Sequence, residues 1–178
     1  MKQFKNQIML DITPEGLRIQ IVDERNRPMF DSGSAVLKGY MKDILRNLTK
    51  LLNQVPNKLT LSGHTDATPY AMGNRGYSNW ELSADRANAS RREMYTAGMP
   101  DQKILRVVGL ASSVSLDEKD PYAAVNRRIA IVVMNKRAEE AVRALANLDE
   151  GQDPNLIELP PVPKVEGLPF PKNGSSTN

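Results

Sequence analysis

The longest uninterrupted apolar run in the chain is Ile129 to Met134, six residues between Arg127-Arg128 and Asn135. A run of that length suits a strand buried on both faces, and it is far short of the roughly 20 residues that a membrane-spanning helix needs. The fold must therefore form around short strands. Residues 8–13 and 17–22 flank Pro14-Glu15-Gly16, and the second segment alternates Leu17, Ile19 and Ile21 with Arg18 and Gln20. That period of two predicts a β-hairpin with one solvated face. Lys58 to Gly63 and Ile104 to Leu110 predict two further strands, and Arg128 to Met134 the last.

Between the strands the period changes. Val36, Leu37, Tyr40, Met41, Ile44, Leu45, Leu48 and Leu52 recur at steps of three and four, a broad apolar helix face that Pro56 ends. Ser78-Asn79-Trp80-Glu81 reads as a capping box, opening a helix that runs to about Ala97 before Gly98 and Pro100. Lys136 to Leu148 predicts a last helix, with Ala138, Ala141, Val142 and Leu145 on one side. The predicted fold class is α/β: a two-layer sandwich with helices on one face of a sheet.

Length and composition set further bounds. The 178 residues suit one domain plus a tail. Six of the twelve prolines follow Glu150, so 149–178 is expected to be an extended, disordered tail. The net charge of +3 comes from 24 basic and 21 acidic residues, a near-balance that argues against a dedicated nucleic-acid binder. Cysteine is absent, which excludes disulfide scaffolds, Cys-ligated metals and thiol catalysis. With a single histidine, His64, a multi-His metal site is excluded, so no metal or other cofactor is expected. The N-terminus lacks a signal-peptide apolar region. The expectation is either a cytosolic protein or a portion whose export or anchoring segment lies upstream.

Three polar clusters are candidates for chemistry. Ser62-Gly63-His64-Thr65-Asp66-Ala67-Thr68 ends a strand, where open sheets often meet ligands. Asp66 reads equally as a turn residue bonding its own backbone. Asn79, Leu82 and Arg86 share a helix stripe, beside the small-residue stripe Ser83, Ala87, Ser90 and Met94. Arg86 could be a ligand cation or a snorkelling surface arginine. Asn126-Arg127-Arg128 begins the last strand, and alternation turns one arginine to the helices and one to solvent. An Asp and an Arg at one rim suit a zwitterionic ligand, the carboxylate taking an ammonium and the guanidinium a carboxylate. Hydrolysis fits less well. No nucleophile elbow or metal pair is visible, and His64 reads as a loop or packed residue rather than as a base.

Taken in order, these clusters resemble the OmpA-like peptidoglycan-binding family. The resemblance runs from Leu61 and Gly63-His64-Thr65-Asp66 through Asn79, Leu82-Ser83 and Arg86-Ala87 to Val108-Gly109 and Asn126-Arg127-Arg128, covering about Phe30 to Met134. The longer text around Pro69-Tyr70 and Gly76 to Ala87 is most similar to the periplasmic domains of flagellar-motor stator subunits. The resemblance implies a βαβαβ core (30–148) behind an N-terminal linker and hairpin (1–29). It implies non-covalent binding of peptidoglycan, chiefly the diaminopimelate of its stem peptide, with no catalytic residues. Asp66 and Arg86 would hold that amino acid, lined by Thr65, Asn79 and Leu82, with Arg127 contributing. It further implies a homodimer in the periplasm, fixed to the inner membrane by an N-terminal helix that this chain does not include. Through that segment a channel-forming, MotA-like subunit would join, near a flagellar basal-body ring. A general outer-membrane murein anchor is the alternative.

Overall fold

The computed structural model describes residues 7–24, 26–70 and 76–148. Its N-terminal hairpin consists of β1 (Ile8–Thr13) and β2 (Gly16–Val22). Then come α1 (Gly39–Leu52), β3 (Leu59–His64), α2 (Asn79–Thr96), β4 (Ile104–Gly109), β5 (Arg128–Met134) and α3 (Lys136–Leu148). Residues 1–143 form one compact unit and 144–178 a second, of which 144–148 are described. The Pro-rich segment 149–178 lies outside the described residues, as does the start of the N-terminal linker. Among the described residues no helix is long and apolar enough to cross a membrane.

The five strands form one sheet in the order β1-β2-β5-β3-β4. β3 and β4 are parallel, and the other pairs are antiparallel. A parallel pair needs a crossover, which α2 supplies. The segment β2-α1-β3-α2-β4 alternates as βαβαβ, with its first strand taken from the hairpin that the resemblance sets outside 30–148, and β5 returns between β2 and β3. The hairpin is thus no appendage, because β2 pairs with β5 along its length. The apolar run of the sequence occupies the central strand, with Ile129, Ala130 and Ile131 all buried.

Register sorts the side chains into two faces. Ile21 pairs with Ile129 and Ile19 with Ile131, while Leu61 meets Ile131 from the other side. These residues join Met41, Ile44, Leu45 and Met94 from the helices in one hydrophobic core. The other face carries Arg18, Gln20, Thr60, Ser62, His64 and Arg128, which alternate with the core set.

Helix α1 starts later than the apolar period predicts. Phe30 and Leu37 pair in an isolated bridge, and Lys38 N–H donates to the Met29 carbonyl at 2.9 Å. Gly33 turns the chain between them with φ of 62°. Val36 and Leu37 thus belong to a loop, which leaves Val36 exposed and Leu37 in the core. The α2 capping box forms as predicted: Glu81 accepts from Ser78 N–H at 2.6 Å, and Ser78 Oγ accepts from Trp80 N–H at 3.2 Å.

Two glycines let α2 press against the sheet. A Cβ on Gly63 would lie 2.0 Å from the Ser83 carbonyl oxygen, and one on Gly109 would lie 2.6 Å from the Ala84 nitrogen. Both neighbours are helix backbone and cannot swing aside. Ser83, Ala87, Ser90 and Met94 are fully buried on the facing stripe. Gly63→Ala is therefore expected to cost about 1–3 kcal/mol or more through overpacking. Gly39→Ala, where a Cβ meets nothing within 4 Å, is expected to be neutral or slightly stabilising. Urea unfolding of both variants checks the contrast.

Candidate functional site

β3 ends under the N-terminal turns of α2, and the chain leaves it through Thr65 and Asp66. Thr65 N–H donates to the Ala111 carbonyl at 2.8 Å, and Ala67 N–H to that of Pro121 at 3.0 Å. Asp66 Oδ1 accepts the Thr68 N–H at 2.9 Å. The turn reading of Asp66 is thus correct, and its other oxygen faces Arg127. These residues wall a cleft of about 630 Å³ together with α2, the loop 30–38 and the segment just before β5.

All six residues that the resemblance assigns to the ligand line this one cleft: Thr65, Asp66, Asn79, Leu82, Arg86 and Arg127. Asn79 Nδ2 donates to the Thr68 carbonyl at 2.8 Å, tying α2 to the loop after β3. Leu82 is a buried apolar wall. Thr65 Oγ1 is buried without a hydrogen-bond partner among the described residues.

Arg86 is no surface arginine, being only 7% exposed. Its guanidinium lies over the Phe30 ring at 4.9 Å, and its Nε donates to the Ser34 carbonyl at 2.9 Å. Its terminal nitrogens make no hydrogen bond, and it has no ion pair, among the described residues. Burial lowers its pKa, and the charge of Asp23 opposes that shift. A desolvated guanidinium held by one neutral carbonyl leaves its donor fork open to a carboxylate.

Arg127 takes a different role. Its Nε donates to Asp23 Oδ2 at 2.8 Å and its Nη1 to Asp66 Oδ2 at 2.6 Å. Burial acts to lower its pKa, and the hydrogen bonds to the two carboxylates outweigh it, so the net shift is upward. Asp23 was not among the sequence candidates. It is 5% exposed, accepts the Met29 N–H at 2.6 Å, and has its pKa raised by burial against the pull of Arg127. The usable signal was its position directly after β2, beside the strand that Arg127 precedes. Asp31 and Lys38 form an ion pair at the cleft rim. The lining thus carries Asp23, Asp31 and Asp66 against Lys38, Arg86 and Arg127, a balance suited to a ligand bearing both charges.

The model of the OmpA family matches residues 29–128. The chain belongs to the OmpA family. It is 48% identical to Motility protein B of Escherichia coli (strain K12) over 169 residues, 95% of this chain and 55% of that protein. The chain therefore spans about half the length of that relative. Among solved structures, the periplasmic domain of Helicobacter pylori MotB aligns with a TM-score of 0.66, 18% identity, and coverage of 86% of this chain and 93% of that one. The cell wall anchor of the T6SS from Pseudomonas aeruginosa aligns with a TM-score of 0.60, 20% identity, and coverage of 74% and 90%. At those identities the likeness establishes the shared fold. Asp23 lies before the matched OmpA segment, so the N-terminal hairpin adds a residue to this cleft.

His64, like Ser62 and Arg128 of the candidate clusters, does not join the cleft. It sits on the opposite sheet face, 5% exposed, with Nε2 at 3.2 Å from Ser62 Oγ. Burial, then the charges of Arg128 and Arg18, push its pKa down from 6.5 to about 3. A histidine whose folded pKa is depressed is fully stabilising above its unfolded pKa. That stability is lost as pH falls from 6.5 toward 3. This is the only histidine, but burial also raises the Asp23 carboxyl, whose contribution has the opposite sign, so the His64 part is read as the difference between wild type and a His64 variant. Unfolding free energy should fall by up to about 1.4 kcal/mol per pH unit between pH 6 and 4.5. In His64→Gln that contribution should be lost, as denaturant melts of both proteins across the range will test.

Proposed function

We propose that this chain is the wall-anchoring part of a flagellar stator subunit, holding peptidoglycan non-covalently in the cleft of Asp66 and Arg86. The observation that carries the reading is the buried Arg86 with its donor fork open, in the same cleft as the Asp66 carboxylate. Such a pair fits an amino-acid head group with its own ammonium and carboxylate. The diaminopimelate of a stem peptide has that chemistry. Its carboxylate would take the Arg86 fork. Its ammonium would share Asp66 with Arg127, because one carboxylate oxygen accepts more than one donor. Thr65 Oγ1 and the Asn79 amide are polar groups that would complete the contacts. No bond is made or broken, so no catalytic residue is required.

The stator assignment is supported by the extent of identity to Motility protein B, and wall anchoring by the fold shared with a T6SS cell wall anchor. On this reading the domain works in the periplasm, tied to the inner membrane by a segment upstream of the hairpin. A homodimer, a channel-forming MotA-like subunit and a basal-body ring would be its protein partners. Its mechanical task would be to give torque a fixed support.

Each charge-assisted contact is worth about 1.5–3 kcal/mol, so losing either should weaken binding about tenfold or more. Co-sedimentation with purified sacculi is expected to show wild type bound, and Asp66→Ala and Arg86→Ala largely in the supernatant. Circular dichroism should be unchanged. Wild-type levels of sedimentation by a folded Arg86→Ala protein would overturn the assignment of this cleft.

A further inference from the structure

The sheet face turned away from the helices holds a second cleft, of about 320 Å³, whose walls are rich in cations. Arg18 of β2, Arg106 of β4 and Arg128 of β5 all line it, with His64 and Ser62 of β3 beside them. Glu15 is the carboxylate of that lining. The three guanidinium groups are unequally neutralised. Arg18 is held in a two-point pair by Asp11, with Nε at 2.9 Å and Nη2 at 2.6 Å. Arg106 reaches Glu15 only at 3.6 Å, and its Nε is buried without a hydrogen-bond partner.

Arg128 is the unusual member. It is 4% exposed, and every hydrogen bond it makes goes to a neutral acceptor. Nε donates to Gln20 Oε1 at 2.9 Å, Nη2 to the Val114 carbonyl at 3.0 Å, and Nη1 to the Asn126 carbonyl at 3.3 Å. No carboxylate pairs with it among the described residues. Five N–H donors on a guanidinium outnumber those three acceptors. Burial, with Arg18 nearby, pulls its pKa down to about 10, which reflects a cation lacking a counter-charge. Next to it, His64 Nδ1 is buried and lacks a partner in hydrogen-bond geometry, although the Val114 backbone is close enough to influence its pKa. A buried charge without a partner is costly, and the protein bears that cost at the floor of an open cleft.

We propose that this cleft is a second binding site, for an oxyanion of phosphate type carried on a small molecule or a lipid headgroup. The Arg128 donors left over, the unpartnered Arg106 Nε and the His64 ring would supply its hydrogen bonds, and planar guanidinium forks match phosphate oxygens. The site is independent of the Asp66–Arg86 cleft, which lies on the helix side and is balanced in charge. It stands or falls separately from the wall-anchoring reading.

The test is a titration of the whole chain with inorganic phosphate, followed by NMR of the arginine Nε–H and histidine ring signals. Acetate at matched ionic strength serves as the control. Saturable phosphate shifts at Arg128, Arg106 and His64, absent with acetate, are expected. Arg128→Gln would release the Val114 and Asn126 carbonyls and could unfold the adjoining loop. Arg106→Gln is therefore the informative variant: it should fold normally and bind phosphate about tenfold more weakly. Its sacculus binding should equal that of wild type. Glycerol phosphate that binds without co-sedimentation on phosphatidylglycerol vesicles would support the site with a small-molecule ligand, and vesicle co-sedimentation would support it with a headgroup. Linear shifts equal for phosphate and acetate, shifts confined to Arg86 and Arg127, or unchanged affinity in Arg106→Gln would each overturn the proposal.

Discussion

Side-chain alternation at the start of β5 sends two consecutive arginines to opposite faces of the sheet, and each organises the polar chemistry of its own side. Arg127 goes to the helix-side rim and Arg128 to the open face. The neighbouring registers fix what each arginine can reach. Val22 and His64 both stand opposite Arg128, one on each flank. The residues just beyond them, Asp23 after β2 and Thr65-Asp66 after β3, thus fall beside Arg127. The Asp23 N–H donates to the Arg127 carbonyl at 3.0 Å, which locks that arrangement at the backbone. One guanidinium between two carboxylates then knits three strand ends into the floor of the cleft. A slip of one residue in any of these pairings would turn the charges to the wrong face.

The cleft's second cation arrives by a different constraint. α2 carries Arg86 close to the sheet only because Gly63 and Gly109 leave no side chains in the way. The same approach buries the small-residue stripe and positions Arg86 over Phe30. Phe30 in turn is held by its bridge to Leu37, and that loop supplies the Ser34 carbonyl to Arg86. A buried arginine is normally unfavourable without a charged partner. Here an aromatic face and a single carbonyl support it, and nearby Asp23 contributes at longer range. The N-terminal hairpin therefore takes part in the site twice, through β2 in the core and through Asp23 at the cleft.

The elements were legible where a local signal existed. Alternation in 17–22, the capping box at Ser78 and the apolar run to Met134 each carry their own evidence, and the strands and α2 lie where those signals place them. Helix α1 was misjudged at its start because Val36 and Leu37 fit the helical period by accident. The turn at Gly33 and the Phe30 bridge, both tertiary features, decide their conformation. The six candidate residues proved to share a cleft, since short motifs brought along their own geometry. Asp23 stayed hidden because nothing local distinguishes it: its importance comes from a partner 104 positions away. The residues alone left Arg86 open between a ligand cation and a surface arginine for the same reason, as its burial depends on a loop 52 positions distant.

The two faces differ most in how their charges close. On the helix side Asp23 and Asp66 share Arg127 and Asp31 takes Lys38, so the lining balances overall while Arg86 keeps its fork open. On the open face Arg128 has fewer acceptors than donors and no carboxylate partner among the described residues, and carbonyl and amide oxygens supply no full counter-charge. Its neighbours do not remedy this. Arg18 adds repulsion even while paired to Asp11, and His64 stays neutral because that field and its burial oppose protonation. An arginine needed only to hold the Val114 and Asn126 carbonyls could have been given a carboxylate at position 20 or 62, both of which face the same cleft. Gln20 and Ser62 stand there instead. Those two neutral side chains preserve the positive field, and it is this retained field that separates an anion site from a mere structural clamp.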